Sequence, residues 1–200
     1  MADPESASEA GRDRDDLFKK ALVILIPQLR AFARTLSGDP TAADDLAQDA
    51  MMKAWDARAS FQLGTNMKAW TFMILRNQFY SEKRRSWRQA QLDQDAAERT
   101  LVAVDDPASP VALDELRMSL GKLPAEQREA LILVGAGGFA YEEAAEICGC
   151  AVGTVKSRVS RARRALQLIL ERGEYDRDGK AAGEAMGTIL AHVERLSGAR

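Results

Sequence analysis

Apolar residues in this chain recur at the spacing of helix faces, and no stretch of strand length alternates cleanly between apolar and polar. The first such face joins Leu17, Phe18, Leu22, Leu25 or Ile26, and Phe32. It predicts a helix capped by Asp15 and Asp16, which Pro27 is expected to kink or divide. Ser37, Gly38, Asp39 and Pro40 form a turn, with Asp39 as cap and Pro40 as the first residue of a second helix reaching from Thr41 to near Ala59. Gln62, Leu63, Gly64, Thr65 and Asn66 break the periodicity, and a third helix is expected from Met67 to near Arg88.

The stretch 89–112 differs. Asp93, Asp95, Asp105, Asp106, Pro107 and Pro110 mark an acidic, turn-prone linker. Helical patterning resumes over 113–172, where Leu123 and Pro124 separate one helix from the next and Gly135, Gly137 and Gly138 end that next helix. Two further helices flank Cys148, Gly149 and Cys150. In the tail, 173–200, Met186, Ile189, Leu190 and Val193 are spaced as on an amphipathic helix, whereas the acidic N-terminus, 1–14, is expected to be disordered. The expected fold class is therefore all-α, with two small helical domains, 15–88 and 113–172, joined by a linker.

Composition narrows the function. The chain has 200 residues, of which 46% are apolar and 29% charged, as in globular proteins. The net charge of −2 hides segregation: acids gather near the start, while Lys83–Arg88 and Lys156–Arg164 are basic. Cys148, Cys150 and His192 lack the spacing and number of a zinc site, so no metal or cofactor is expected. Two small side chains in a tight turn explain the cysteines. Few cysteines and no secretion signal point to the cytoplasm. The apolar run Ala21–Pro27 is too short to span a bilayer. No paired acid and base, phosphate loop or activated nucleophile suggests an enzyme.

The clearest motif is a helix-turn-helix. Tyr141–Cys148 form its first helix, with small Ala144 and Ala145 where a second helix must come close. Gly149 suits the tight turn. In the second helix, starting near Gly153 and Thr154, Val155, Val159, Ala162 and Leu166 share an inward face. The outward set is Thr154, Lys156, Ser157, Arg158, Ser160 and Arg161. Hydrogen-bond donors at the start of such a helix match base edges and phosphates of a major groove. A solvated basic helix is the alternative, but it leaves the small-residue and glycine features unexplained.

The second helix has another character. Ala43, Leu46, Ala47, Ala50 and Ala54 make a narrow inward stripe, and Asp45, Gln48, Asp49, Met52 and Asp56 lie opposite. A methionine among carboxylates and an amide fits a protein partner, although a solvated acidic face would look similar. The third helix carries Trp70, Phe72, Phe79 and Tyr80, then Lys83, Arg84, Arg85, Trp87 and Arg88. Cations beside pocket-forming polar groups suit single-stranded DNA, with Gln62, Thr65 and Asn66 as candidate pocket groups. Most of the aromatics are better read as core, and the cations either meet phosphates or are solvated.

Together these segments resemble the sigma factor family. The segment from Asp44 to Asp49 is similar to the helix of sigma region 2 that grips the β′ clamp helices of RNA polymerase. Phe61 to Arg85, with Trp70, Arg76 and Asn77, resembles the part that recognises and melts the minus-ten element. Leu123 to Ala130 and the following helix-turn-helix resemble region 4, which reads the minus-thirty-five element and docks on the β flap. The chain has no room for further DNA-binding domains, which fits the small extracytoplasmic-function class. The string from Leu133 to Arg158 is similar to the EcfG type of alphaproteobacterial general stress response.

The resemblance implies polymerase contact through Asp44, Asp45, Gln48, Asp49 and Met52. It implies minus-ten contact through Gln62, Thr65, Asn66, Lys83, Arg84 and Arg85, and upstream contact through Thr154, Lys156, Ser157, Arg158, Ser160 and Arg161. It also implies promoters with a GGAAC-like upstream element, control by a NepR-like anti-sigma factor and no membrane partner. The tail after Arg172 departs from the family pattern. Two rivals remain: a sigma mimic that sequesters the anti-sigma factor, which has no need of a basic recognition helix, and a plain helix-turn-helix regulator, which leaves the first domain unexplained.

Overall fold

The computed structural model describes residues 4–62, 64–92, 116 and 118–171. The greater part of the expected linker and the tail 173–200 lie outside the described residues. Every regular element that is described is helical, in two compact units.

The first unit is built on α1, Pro4–Ser37, α2, Pro40–Asp56, and α3, Met67–Leu92, residues 34–40 excepted. A single 3₁₀ turn, Arg58–Ser60, follows α2. Two expectations about α1 are corrected. Its start lies at Pro4, well before Asp15, so residues 4–14 are helical and the acidic pair is internal. A proline in the first helical turn loses no hydrogen bond, because that N–H has no intrahelical acceptor. Asp15 instead accepts a hydrogen bond from Arg58 Nε at 3.0 Å, and Arg14 donates to the carbonyl of Phe61 at 3.0 Å. The second correction concerns Pro27, which is exposed and does not divide the helix. Its missing N–H frees the carbonyl of Val23, a residue that is itself exposed, so water can satisfy that oxygen.

From Arg12 on, the buried positions of α1 are Phe18, Leu22, Leu25, Leu29, Phe32 and Leu36, in steps of three and four, with Ala33 beside Phe32. Leu17, one position from Phe18, is exposed, contrary to the sequence reading. Phe18 packs edge-on to Phe61 and Trp70, with ring centroids 5.8 and 6.1 Å apart. Such pairs add about 0.5–1.5 kcal/mol beyond their area burial. The inward stripe of α2 is the expected one, Ala43, Leu46, Ala47, Ala50 and Ala54. Its end differs: the helix stops at Asp56 and the chain tightens into the 3₁₀ turn that delivers Phe61 to the core. At its far end α3 runs past Arg88 to Leu92.

In the second unit, residues 118–121 are helical, and Leu123 and Pro124 separate them from α4, Ala125–Gly135. Then come α5, Tyr141–Cys148, and α6, Val152–Glu171. α6 packs on both α4 and α5. Its buried residues are Val155, Val159, Ala162 and Leu166, the stripe expected from sequence. Gly149 caps α5 in the left-handed region, φ 61°, and its N–H bonds back to α5 carbonyls. At Gly137 the constraint is steric: a Cβ there would sit 2.5 Å from the carbonyl oxygen of Leu133. Arg128 is buried and donates to the carbonyl of Gly121 at 3.2 Å, closing the segment before α4.

Candidate protein- and nucleic-acid-binding faces

Burial of the alanine stripe turns the opposite side of α2 outward. Asp45, Gln48, Asp49, Met52 and Asp56 are all exposed there. Met52 is 65% exposed, a large apolar side chain left in water within a ring of acceptors. Two members of the expected set are held from behind. Asp44 takes both Arg30 Nε, at 2.8 Å, and Arg30 Nη2, which staples α1 to α2. The hydrogen bonds that Arg30 donates to Asp44, and then the carboxylate's charge, raise the Arg30 pKa above its ordinary value. Asp49 accepts from Gln78 Nε2 at 2.9 Å.

Gln78 was not singled out from sequence. It is 5% exposed, and its amide also donates to Glu82 Oε1 at 2.9 Å. Turning the amide over would set its oxygen against two carboxylates, so the NH2 must face them. Among the described residues, Gln78 Oε1 is buried and has no hydrogen-bond partner. An amide at i, i+4 from Glu82 was visible in the sequence; its reach to Asp49 on another helix was not.

The loop between the 3₁₀ turn and α3 brings the expected pocket groups close in sequence but gives them different tasks. Thr65 Oγ donates to the carbonyl of Gln62 at 2.7 Å. Asn66 Oδ1 accepts the N–H of Ala69 at 3.0 Å and so caps α3. Gln62 is exposed. Along α3, Ala69, Phe72 and Leu75 are buried, and Trp70 packs on the Phe18 cluster, as expected of core aromatics. Lys83, Arg84, Arg85 and Arg88 are all exposed.

The helix-turn-helix keeps a basic outer face on α6. Lys156, Ser157, Ser160, Arg161 and Arg164 are exposed and Thr154 is half-buried. Lys156 Nζ sits 5.6 Å from the centre of the Tyr141 ring, and Ser157 Oγ donates to the carbonyl of Thr154 at 2.9 Å. Arg158 departs from the expected outward set. Its side chain is only 19% exposed, and its guanidinium bonds to Glu126 Oε2 at 2.5 Å and to Cys150 Sγ at 3.7 Å. At ~100° per residue, Arg158 lies roughly 60–70° from the centre of the buried stripe, on the flank of the helix. Arg164, the end of the basic run, lies opposite that stripe and joins the outward set.

One helical unit carries an acidic, methionine-bearing face and the other a basic helix-turn-helix, the motif of a DNA-binding protein. Residues 13–89 match the family model for sigma-70 region 2, and residues 113–166 match that for sigma-70 region 4. The chain is 47% identical over 155 residues to the ECF RNA polymerase sigma factor EcfG of Rhodopseudomonas palustris, covering 78% of this chain and 86% of that protein. It is 33% identical to the sigma factor SigM of Mycobacterium tuberculosis, covering 72% and 71%. The solved structure of the sigma factor RpoE from Bartonella quintana, in complex with the anti-sigma factor NepR, is 48% identical, with a TM-score of 0.70 over 80% of this chain and 98% of that one. The chain belongs to the extracytoplasmic-function sigma factors of the sigma-70 family. Sigma factors act in transcription initiation. Among the described residues, no helix is long and apolar enough to cross a membrane.

Proposed function

We propose that the chain binds RNA polymerase core in the cytoplasm through the α2 face of Asp45, Gln48, Asp49 and Met52. On this reading Asp44 orients that face through Arg30, and Gln78 orients Asp49. The face docks on the β′ clamp helices, while the second unit docks on the β flap and lays α6 into the major groove of an upstream, GGAAC-like element. Ser157, Ser160 and Arg161 then face base edges, with Lys156, Thr154 and Arg164 at phosphates. Downstream, Gln62 and the Thr65–Asn66 loop receive an unstacked base, and Lys83, Arg84 and Arg85 hold the backbone. No bond is made or broken by the chain; binding energy drives the strand separation.

The observation that carries this reading is the coexistence of two exposed faces of opposite character, acidic with Met52 on α2 and cationic on α6. A sigma mimic needs the first and has no use for the second. A simple repressor needs the second and has no use for the first. Each unit offers few contacts alone, so free protein binds promoter DNA weakly until polymerase arranges both. A NepR-like anti-sigma factor that covers these faces would hold the protein inactive, with stress releasing it.

Reconstitution with core polymerase and a promoter carrying the GGAAC-like element tests the proposal. Run-off transcript is the expected result. Binding to the anti-sigma factor without transcript would identify a mimic. Tight duplex binding without polymerase would identify a repressor.

A further inference from the structure

The last turn of α6 is apolar over more than half of its circumference. At ~100° per residue, Leu166, Leu168, Ile169 and Leu170 spread over an arc of about 200°, roughly twice the stripe that one packing surface covers. Leu166 is fully buried in the second unit, Ile169 and Leu170 are half-buried, and Leu168 is 44% exposed. Leu168 continues the outward row of Arg161 and Arg164, seven and four residues on, so an apolar side chain replaces the cations there. With the open sides of Ile169 and Leu170 it forms a patch that the core of the unit does not use. A helix turn apolar over so wide an arc is one that is enclosed. A helix-turn-helix reads the major groove with the N-terminal residues of its second helix, which leaves this end available for cover. The region 4 match ends at 166, so the patch lies just past the part matched to the family.

The chain supplies a matching surface of its own. Residues 172–200 follow α6 directly and lie outside the described residues. In them Met186, Ile189, Leu190 and Val193 recur at the spacing of one helix face, and Ala182 and Leu196 extend the row. Between Glu171 and Met186 stand 14 residues, with Gly173, Gly179 and Gly183 among them. A stretch of that length spans up to roughly 46–50 Å, and a reversal between antiparallel helices takes only about 2–5 residues. We infer that the apolar row of the tail packs on Leu168, Ile169 and Leu170 of the same molecule and closes the end of the second unit. The tether keeps the tail at a high effective concentration, so it outcompetes a second copy or a separate protein offering a similar surface. Any protein that takes this patch must first displace the tail. The inference is independent of what α2 and the DNA-facing side of α6 bind.

Hydrogen–deuterium exchange of the full-length protein, read by mass spectrometry, tests the contact. In the parent, amides of 186–193 should exchange at least about tenfold more slowly than unstructured chain, at a rate independent of protein concentration. Leu168→Glu should speed that exchange by about tenfold, the order of effect of withdrawing one leucine from a buried contact, while 155–166 keep their protection. Leu168→Ala, which favours the helix, should give a smaller increase and replaces the first variant if Glu loosens α6 itself. Leu190→Glu should free the tail and in turn speed the amides of 167–171, a reciprocity that a contact between the two requires. His192 is the chain's one histidine, so its ring signals in NMR give a second readout, and all three variants should move them toward the position of unstructured chain. Unprotected amides at 186–193 in the parent overturn the inference. So does protection that neither change at Leu168 alters, or amides of 167–171 unmoved by Leu190→Glu, either of which would put the tail on another surface. Protection lost on dilution also overturns it and would make a second copy the occupant.

Discussion

Changing Arg158 to Ala and Glu126 to Gln, singly and together, probes what fixes α6 in the helix-turn-helix. Arg158 is mostly buried while Glu126 is 65% exposed, so water screens the pair from one side only. Exposed ion pairs contribute about 0.2–1 kcal/mol. The buried guanidinium and its second contact to Cys150 put this pair in the upper part of that range, so a coupling of about 0.5–1 kcal/mol is expected. Small domains shift by about 4–8 °C per kcal/mol, so the coupling corresponds to about 2–8 °C in the transition of the second unit. Circular dichroism melts of the full-length protein measure it. In parallel, holoenzyme binding to a series of single-base variants of the upstream element reports base preference. Arg158→Ala should leave the profile of preference intact, and Arg161→Ala should flatten it at one position by about 1–3 kcal/mol. The opposite result, with Arg158→Ala flattening one position and no coupling to Glu126, would show that the guanidinium leaves its partner to read a base.

Four further outcomes follow from the packing and the exposed faces. Met52→Ala should weaken core polymerase binding by fivefold or more, roughly the 1 kcal/mol of a significant interface side chain, with no change in the melt; equal affinity would remove α2 from the interface. Leu166→Ala, at a fully buried position, should destabilise the second unit by about 2–5 kcal/mol in urea titration, and a loss below that range would mean the α6 core is looser than drawn. Gly137→Ala should lose about 1–3 kcal/mol because its Cβ meets the Leu133 carbonyl. Gly121→Ala, with open space around it, should be neutral or mildly stabilising in the same titration.

Periodicity alone determined the helices, the inward stripes of α2 and α6 and the left-handed turn at Gly149, because these depend on residues a few positions apart. It also placed the acidic face and most of the basic one, since what faces away from a stripe follows from the stripe. Local rules misjudged α1: a proline reads as a break whether its freed carbonyl is buried or wet, and only the surroundings of Val23 decide. The start of α1 was missed because Asp15 has the form of a cap, and its partner Arg58 is 43 residues away. Tertiary structure alone joined Arg158 to Glu126 across 32 residues and Gln78 to Asp49 across 29. It also decided which of three tryptophans stays in water. A side chain's chemistry is written in the sequence, but its partner is set by the packing of whole helices, which brings distant residues within hydrogen-bond reach.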